Sequence, residues 1–102
     1  MARVIIRATI TNNGEVPANL LVMGIVDKPD GTADSTSTTI NLAPKSSKDV
    51  ELTIYNVPLK AGKYKFRVEV YDRDQRKKVA YDEVEKTFSY KISVKITKVE
   101  VR

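Results

Sequence analysis

The sequence predicts an all-β fold: an antiparallel β-sandwich of about seven short strands, with an extra C-terminal strand, in one domain spanning residues 1–102. Three observations carry this expectation. Apolar and polar residues alternate with a period of two in several segments, no segment sustains a helical period, and turn-forming clusters recur about every 8 to 12 residues. A small five-stranded barrel of the oligonucleotide-binding kind is the alternative closure.

The first strand is RVIIRATITN, Arg3 to Asn12, with Val4, Ile6, Ala8 and Ile10 on the inner face and Arg7, Thr9 and Thr11 outside. Asn13-Gly14 ends it, since both residue types tolerate the positive φ of a tight reversal. Pro17 precedes a second strand, Asn19 to Asp27, where a proline needs no ladder donor. The stretch DKPDGTADSTST reads as a loop, followed by a short strand from Thr38 to Leu42. After the Pro44 turn, Val50, Leu52 and Ile54 point inward against Glu51, Thr53 and Tyr55. PLKAG turns the chain into KYKFRVEVYD, with Tyr64, Phe66, Val68 and Val70 inward and Lys65, Arg67, Glu69 and Tyr71 outward. A polar hairpin loop, DRDQRKK, leads to a weaker strand from Lys78 to Thr87. FSYKISVKI then alternates Phe88, Tyr90, Ile92, Val94 and Ile96 against polar residues, and the phase slips near Thr97-Lys98, as at a bulge.

Composition narrows the chemistry. With 41% hydrophobic residues, 102 positions suffice for one buried core and are too few for two domains. The absence of Cys, His and Trp removes disulfides, thiol nucleophiles and imidazole ligands, and 30% charged residues resembles a thermophile-like surface. No run approaches the ~18 apolar residues of a membrane span, and no leader is legible ahead of Arg3. These features are read as an intracellular or virion-borne chain, or as a mature or excised piece. The net charge of +5 sits entirely in the second half: residues 1–50 hold five basic and five acidic side chains, residues 51–102 thirteen and eight.

Three segments, Ile10-Thr11-Asn12-Asn13-Gly14, Leu42-Ala43-Pro44-Lys45-Ser46-Ser47 and Ala61-Gly62-Lys63-Tyr64, stand in an order and spacing that resembles the cell-adhesion-related domain of bacteria and archaea (CARDB) and its immunoglobulin-like relatives, over roughly residues 3–74. The resemblance implies an immunoglobulin-like sandwich, a non-catalytic surface or extracellular role, and no active-site residues. The chain departs from that pattern in lacking the usual first strand and in adding a C-terminal one. The added strand is the natural candidate for the vacant place, in its own domain or in a neighbour's.

Four sets of residues invite a functional reading. Ile5, Leu21, Met23 and Ile25 fall out of phase with the core and would form one exposed apolar patch, an interface to which Ile92, Val94 and Ile96 of the extra strand are added. Asp27, Asp30 and Asp34 offer carboxylates in a Gly-containing loop that calcium could use, but they lack the one-three-five spacing and terminal Glu of a helix-loop-helix site, so the metal expectation is none. Lys63, Lys65 and Arg67, with Arg73, Arg76, Lys77 and Lys78, make a basic surface beside Tyr71, the minimal footprint of a nucleic-acid binder and the weakest of the partner readings. Asp82, Glu83 and Glu85 are paired carboxylates on a polar strand without a cleft, so no catalytic residue, enzyme activity or cofactor is expected. The expected partner is a protein or a second copy of the chain, with a glycan as the alternative, and the expected role is a structural or adhesive module.

Overall fold

A computed structural model describes residues 2–57, 60–88 and 99–100. Six long strands form two antiparallel sheets: β1 (Ala2–Thr11), β2 (Ala18–Asp27), β3 (Ala33–Leu42), β4 (Ser47–Val57), β5 (Gly62–Asp72) and β6 (Lys77–Phe88). A two-residue segment, β7 (Val99–Glu100), runs parallel to β1 at Ile6 and Arg7. One sheet has the order β4-β1-β7 and the other β3-β2-β5-β6, and no helix occurs among the described residues. This partition of strands is immunoglobulin-like, with six rather than seven strands in the antiparallel sheets. The expected strand 88–96 lies outside the described residues, except that Phe88 closes β6.

The alternation read from the sequence holds in β1, β4 and β5. Val4, Ile6, Ala8 and Ile10 meet Leu20, Val22, Val26, Tyr64, Phe66, Val68 and Val70 in one continuous core between the sheets. Gly24 occupies the inner face of β2 between Val22 and Val26. A Cβ there would stand 3.1 Å from Leu52 Cδ1 and 3.3 Å from Ile6 Cδ1, so the glycine is what lets the two sheets approach at this point.

Two bulges adjust the phase. Opposite Arg3, the pair Tyr55-Asn56 takes the place of one residue, with Asn56 at φ 59°, and Val57 therefore turns inward and is fully buried. In β6 the register shifts between Ala80 and Lys78, leaving Val79 as the extra, exposed residue. Without that residue Lys78 would share the inner face with Ala80; with it, Lys78 stands outside, opposite Tyr71.

One boundary differs from the sequence reading. The loop expected over residues 27–38 contracts to five residues, and β3 begins at Ala33. The Lys28 N–H donates to the Thr32 carbonyl (2.8 Å), the Gly31 N–H donates to the Lys28 carbonyl (3.1 Å), and Gly31 takes φ 86°. This is a three-residue hairpin loop with glycine at its left-handed position. Hydropathy misses the first half of β3 because an edge strand is held by its backbone ladder, and Asp34, Thr36 and Thr38 on its inner face are only half-buried.

A further mark of the fold lies where β4 passes to β5. The Tyr64 hydroxyl donates to the Lys60 carbonyl (3.0 Å) and accepts from the Lys60 N–H (2.7 Å). A tyrosine at the start of this strand bonding back to the preceding corner is the tyrosine corner of immunoglobulin-like sandwiches.

Candidate functional site

Among the described residues the three-stranded sheet is the narrower one, and a groove opens where it meets the four-stranded sheet. β7, among the described residues, accompanies β1 at Ile6 and Arg7. Further along, Ala8, Thr9 and Ile10 border a groove of about 320 Å³ whose other wall is Val68 and Val70 of β5 and Ala80, Tyr81 and Asp82 of β6. The groove follows from side-chain size: Ala80 and Asp82 face inward on β6, beyond the reach of β1, and neither is large enough to close the gap. Ala8, Ile10, Val68, Val70 and Ala80 give it apolar surface, Thr9, Tyr81 and Asp82 contribute polar side chains, and it runs beside a strand edge. That combination suits an extended peptide whose alternate side chains are apolar.

The outer face of the four-stranded sheet carries the residues expected to form an apolar patch and a basic strip, and it makes neither as expected. Ile5 belongs to β1, in the opposite sheet, where it pairs with Thr53; it cannot join Leu21, Met23 and Ile25. Ile25 is buried (6% exposed) between Ser35 and Arg67, while Leu21 and Met23 are half-buried. The long stem of Arg67 covers apolar surface that the alternation alone would expose. The patch therefore contracts to Leu21 and Met23, and Ile92, Val94 and Ile96 lie outside the described residues.

Most of the basic strip is neutralised. Arg67 makes a bidentate pair with Asp27 (Nε–Oδ2 2.7 Å, Nη2–Oδ1 3.1 Å) and reaches Glu69 (3.0 Å); Lys78 reaches the same Glu69 oxygen (2.9 Å). Lys65 stands 3.3 Å from Glu83, and Lys63 3.9 Å from Glu85. Only Arg73, Arg76 and Lys77, around the hairpin tip, carry no ion pair among the described residues. A continuous phosphate-tracking stripe is therefore not formed, since the cations of β5 are already matched by carboxylates of β2 and β6.

Glu69 is the residue the sequence reading missed: placed on the solvent face by phase, it is 7% exposed. Tyr71 Oη donates to its Oε1 (2.8 Å) while Arg67 and Lys78 share Oε2. The Lys78 hydrogen bond, with help from Tyr71 and the two cations, holds the Glu69 carboxyl below the ordinary carboxylate range in spite of burial, and the same bond raises Lys78. Because the folded value of Glu69 is depressed, its contribution is complete above the unfolded pKa of about 4.3 and is lost as pH falls through the folded value. Glu69→Gln is expected to cost about 1–2 kcal/mol at pH 7. In urea melts the gap from wild type should narrow at pH 3, and a gap equally wide at both pH values would contradict this account.

The three carboxylates considered for calcium do not converge. Asp27 serves Arg67, Asp30 accepts from the Thr32 N–H (2.9 Å) and Oγ1 (2.6 Å), and Asp34 pairs with Lys28 (3.0 Å). The Thr32 bonds hold Asp30 below its ordinary value. No group of three ligating side chains occurs among the described residues.

The loops separate into two ends. Residues 12–17, 43–46 and 73–76 gather at one end; loop 28–32 lies at the other, the whole length of β2 away. Asn12 organises the first group: its amide donates to the carbonyls of Val16 (2.9 Å), Leu42 (3.2 Å) and Ala43 (3.3 Å), and its Oδ1 accepts from the Gly14 N–H (2.9 Å). Asn12→Ala is expected to lower stability by about 1–2 kcal/mol, seen as a lower urea midpoint with unchanged slope. Val16, 69% exposed, stands at this end, which the turn carrying Arg73 and Arg76 shares. Comparison with protein-family models, with curated proteins and with solved structures finds no match to the chain.

Proposed function

We propose that the protein is a non-catalytic structural or adhesive module that acts by protein–protein contact, as a subunit assembling with copies of itself by strand addition at β1. The observation that carries this reading is the edge of β1: among the described residues β7 accompanies Ile6 and Arg7, and the groove opens beside Ala8, Thr9 and Ile10. A strand laid there would gain ladder hydrogen bonds and cover Val68, Val70 and Ala80. The chain's own sequence contains a fitting segment, since Phe88, Tyr90, Ile92, Val94 and Ile96 present apolar side chains at every second position. Exchange of such a segment between copies is a low-cost route to oligomers. The resemblance to CARDB modules supports the same class of role.

The test is the mass of the purified chain by light scattering over a hundredfold range of concentration, beside a chain ending at Phe88. Assembly predicts an oligomer or polymer for the full chain, and a truncated form that binds a synthetic peptide of residues 89–102. A full chain that stays monomeric throughout the range would refute it.

One observation favours a second reading, a monomeric module for a protein or glycan ligand. Two loops, 12–17 and 43–46, are tied together by Asn12 at the end that also carries the 73–76 turn, with exposed Val16, Arg73 and Arg76. Loop 28–32, at the opposite end, takes no part. A monomer that loses a glycan-array or pull-down signal on Arg73→Ala would select this reading.

A further inference from the structure

We infer that the free edge of β3 is a second contact surface, and that its partner is β3 of a second copy, paired antiparallel about a two-fold axis through Ser37. The pairing uses neither the β1 groove nor the C-terminal segment, so it does not depend on the strand addition described above.

The argument begins at the hairpin. The Lys28–Thr32 bond makes residues 28 and 32 a hydrogen-bonded pair, and ladder alternation then turns the N–H and C=O groups of Asp34, Thr36, Thr38 and Ile40 toward β2. Those of Ala33, Ser35, Ser37, Thr39 and Asn41 point to the other side, where the described residues supply no strand. Nor do the anchors of residues 89–98 approach it: Phe88 on β6 and Val99 beside β1 lie on the opposite flank of the sandwich.

A free edge of this length is normally guarded by charge, proline or a bulge. The other long edges follow the rule. β6 has six charged residues and a bulge, and β4 has Lys48, Asp49, Glu51 and a bulge. β3 pairs with β2 over ten residues without a register shift, contains no proline, and carries one charge, Asp34, already matched by Lys28 at 3.0 Å.

The edge is also self-complementary. Side chains of directly opposed residues share a face, so the symmetric register centred on Ser37 sets Ser37 against itself, Ser35 against Thr39, Ala33 against Asn41 and Asp34 against Ile40. No like charges meet, and the hydroxyl pairs are of the kind that hydrogen-bond across strands. Five residues of each copy then exchange about ten backbone hydrogen bonds, and two four-stranded sheets become one of eight. Such an isologous contact closes on itself.

The chain contains no cysteine, which makes the register directly testable. Opposed residues of a hydrogen-bonded pair have Cα atoms about 5.5 Å apart, within the range a disulfide spans. Ser37→Cys is expected to give a covalent dimer under mild oxidation at concentrations where Thr87→Cys, on β6, does not. Ser37→Pro removes an N–H that the fold itself does not use and should leave a cooperative melt, and Ser37→Lys places two cations in opposition. Both are expected to lower the mass measured by light scattering twofold relative to wild type. Since the chain ending at Phe88 keeps β3 whole, it is expected to remain a dimer, which separates this contact from strand addition at β1. Absence of a Ser37→Cys dimer, or Ser37→Pro and Ser37→Lys proteins with the mass of wild type, would overturn the inference.

Discussion

Replacing Tyr64 by alanine is expected to lower stability by about 3–5 kcal/mol, whereas Tyr64→Phe should lower it by about 1–3 kcal/mol. The ring is 1% exposed and stacks near Phe66 with centroids 6.3 Å apart, so its removal leaves a cavity at the heart of the four-stranded sheet. Phenylalanine keeps the ring and deletes only the hydroxyl, which holds both the N–H and the carbonyl of Lys60. Thermal or urea melts of the two variants thus separate packing from the corner. Equal losses in the two would show that the ring contributes nothing beyond its hydroxyl, and would contradict the core described here.

Gly62→Ala, at the same corner, is expected to cost about 2–4 kcal/mol through backbone strain and contact. Gly62 opens β5 at φ 139°, a conformation that residues with a side chain rarely adopt. An added Cβ would also lie 2.5 Å from Pro29 Cγ and 2.7 Å from Pro29 Cβ. The two causes can be told apart. In a Pro29→Gly background both contacting atoms are gone and the strain remains, so Gly62→Ala should cost less there, though still more than zero. An unchanged melt for Gly62→Ala in the wild-type background would mean that the corner is not held as described. By comparison Gly31, also at positive φ, has open space around its Cβ direction, and only strain would act there.

These effects bear on function through position. Tyr64 and Gly62 set where β5 begins, and β5 carries Val68 and Val70 into the groove beside β1 and Arg67 and Glu69 onto the opposite face. The groove and the β3 edge are strand edges presented by a well-filled core, while the centre of the outer face is occupied by matched charges.

The fold was legible in the sequence because its signal is local. Alternation along β1, β4 and β5 sorts Val4, Ile6, Leu52, Ile54, Phe66 and Val68 to the core with no knowledge of neighbours, since side chains of a strand alternate whatever the strand pairs with. The Pro44 turn was equally local, whereas the positive φ expected at Asn13-Gly14 does not occur: Asn12 holds that reversal through its side chain, and the positive φ falls at Lys45 instead. What sequence reasoning could not supply was the identity of each strand's partners. The proposed patch failed because Ile5 and Ile25 are adjacent in phase logic but belong to different sheets, and sheet membership is decided by the core that forms between them. Glu69 looked solvated until a bulge at Val79 turned Lys78 outward to meet it, and bulges leave little trace in a polar strand. Most of the basic strip was cancelled for the same reason: strand pairing brought Asp27, Glu83 and Glu85 beside the cations of β5. Period and turn residues, then, determined which residues are buried and where the chain reverses. Tertiary structure alone decided which charges cancel and which strand edges stay open, because those depend on contacts between residues far apart in the chain.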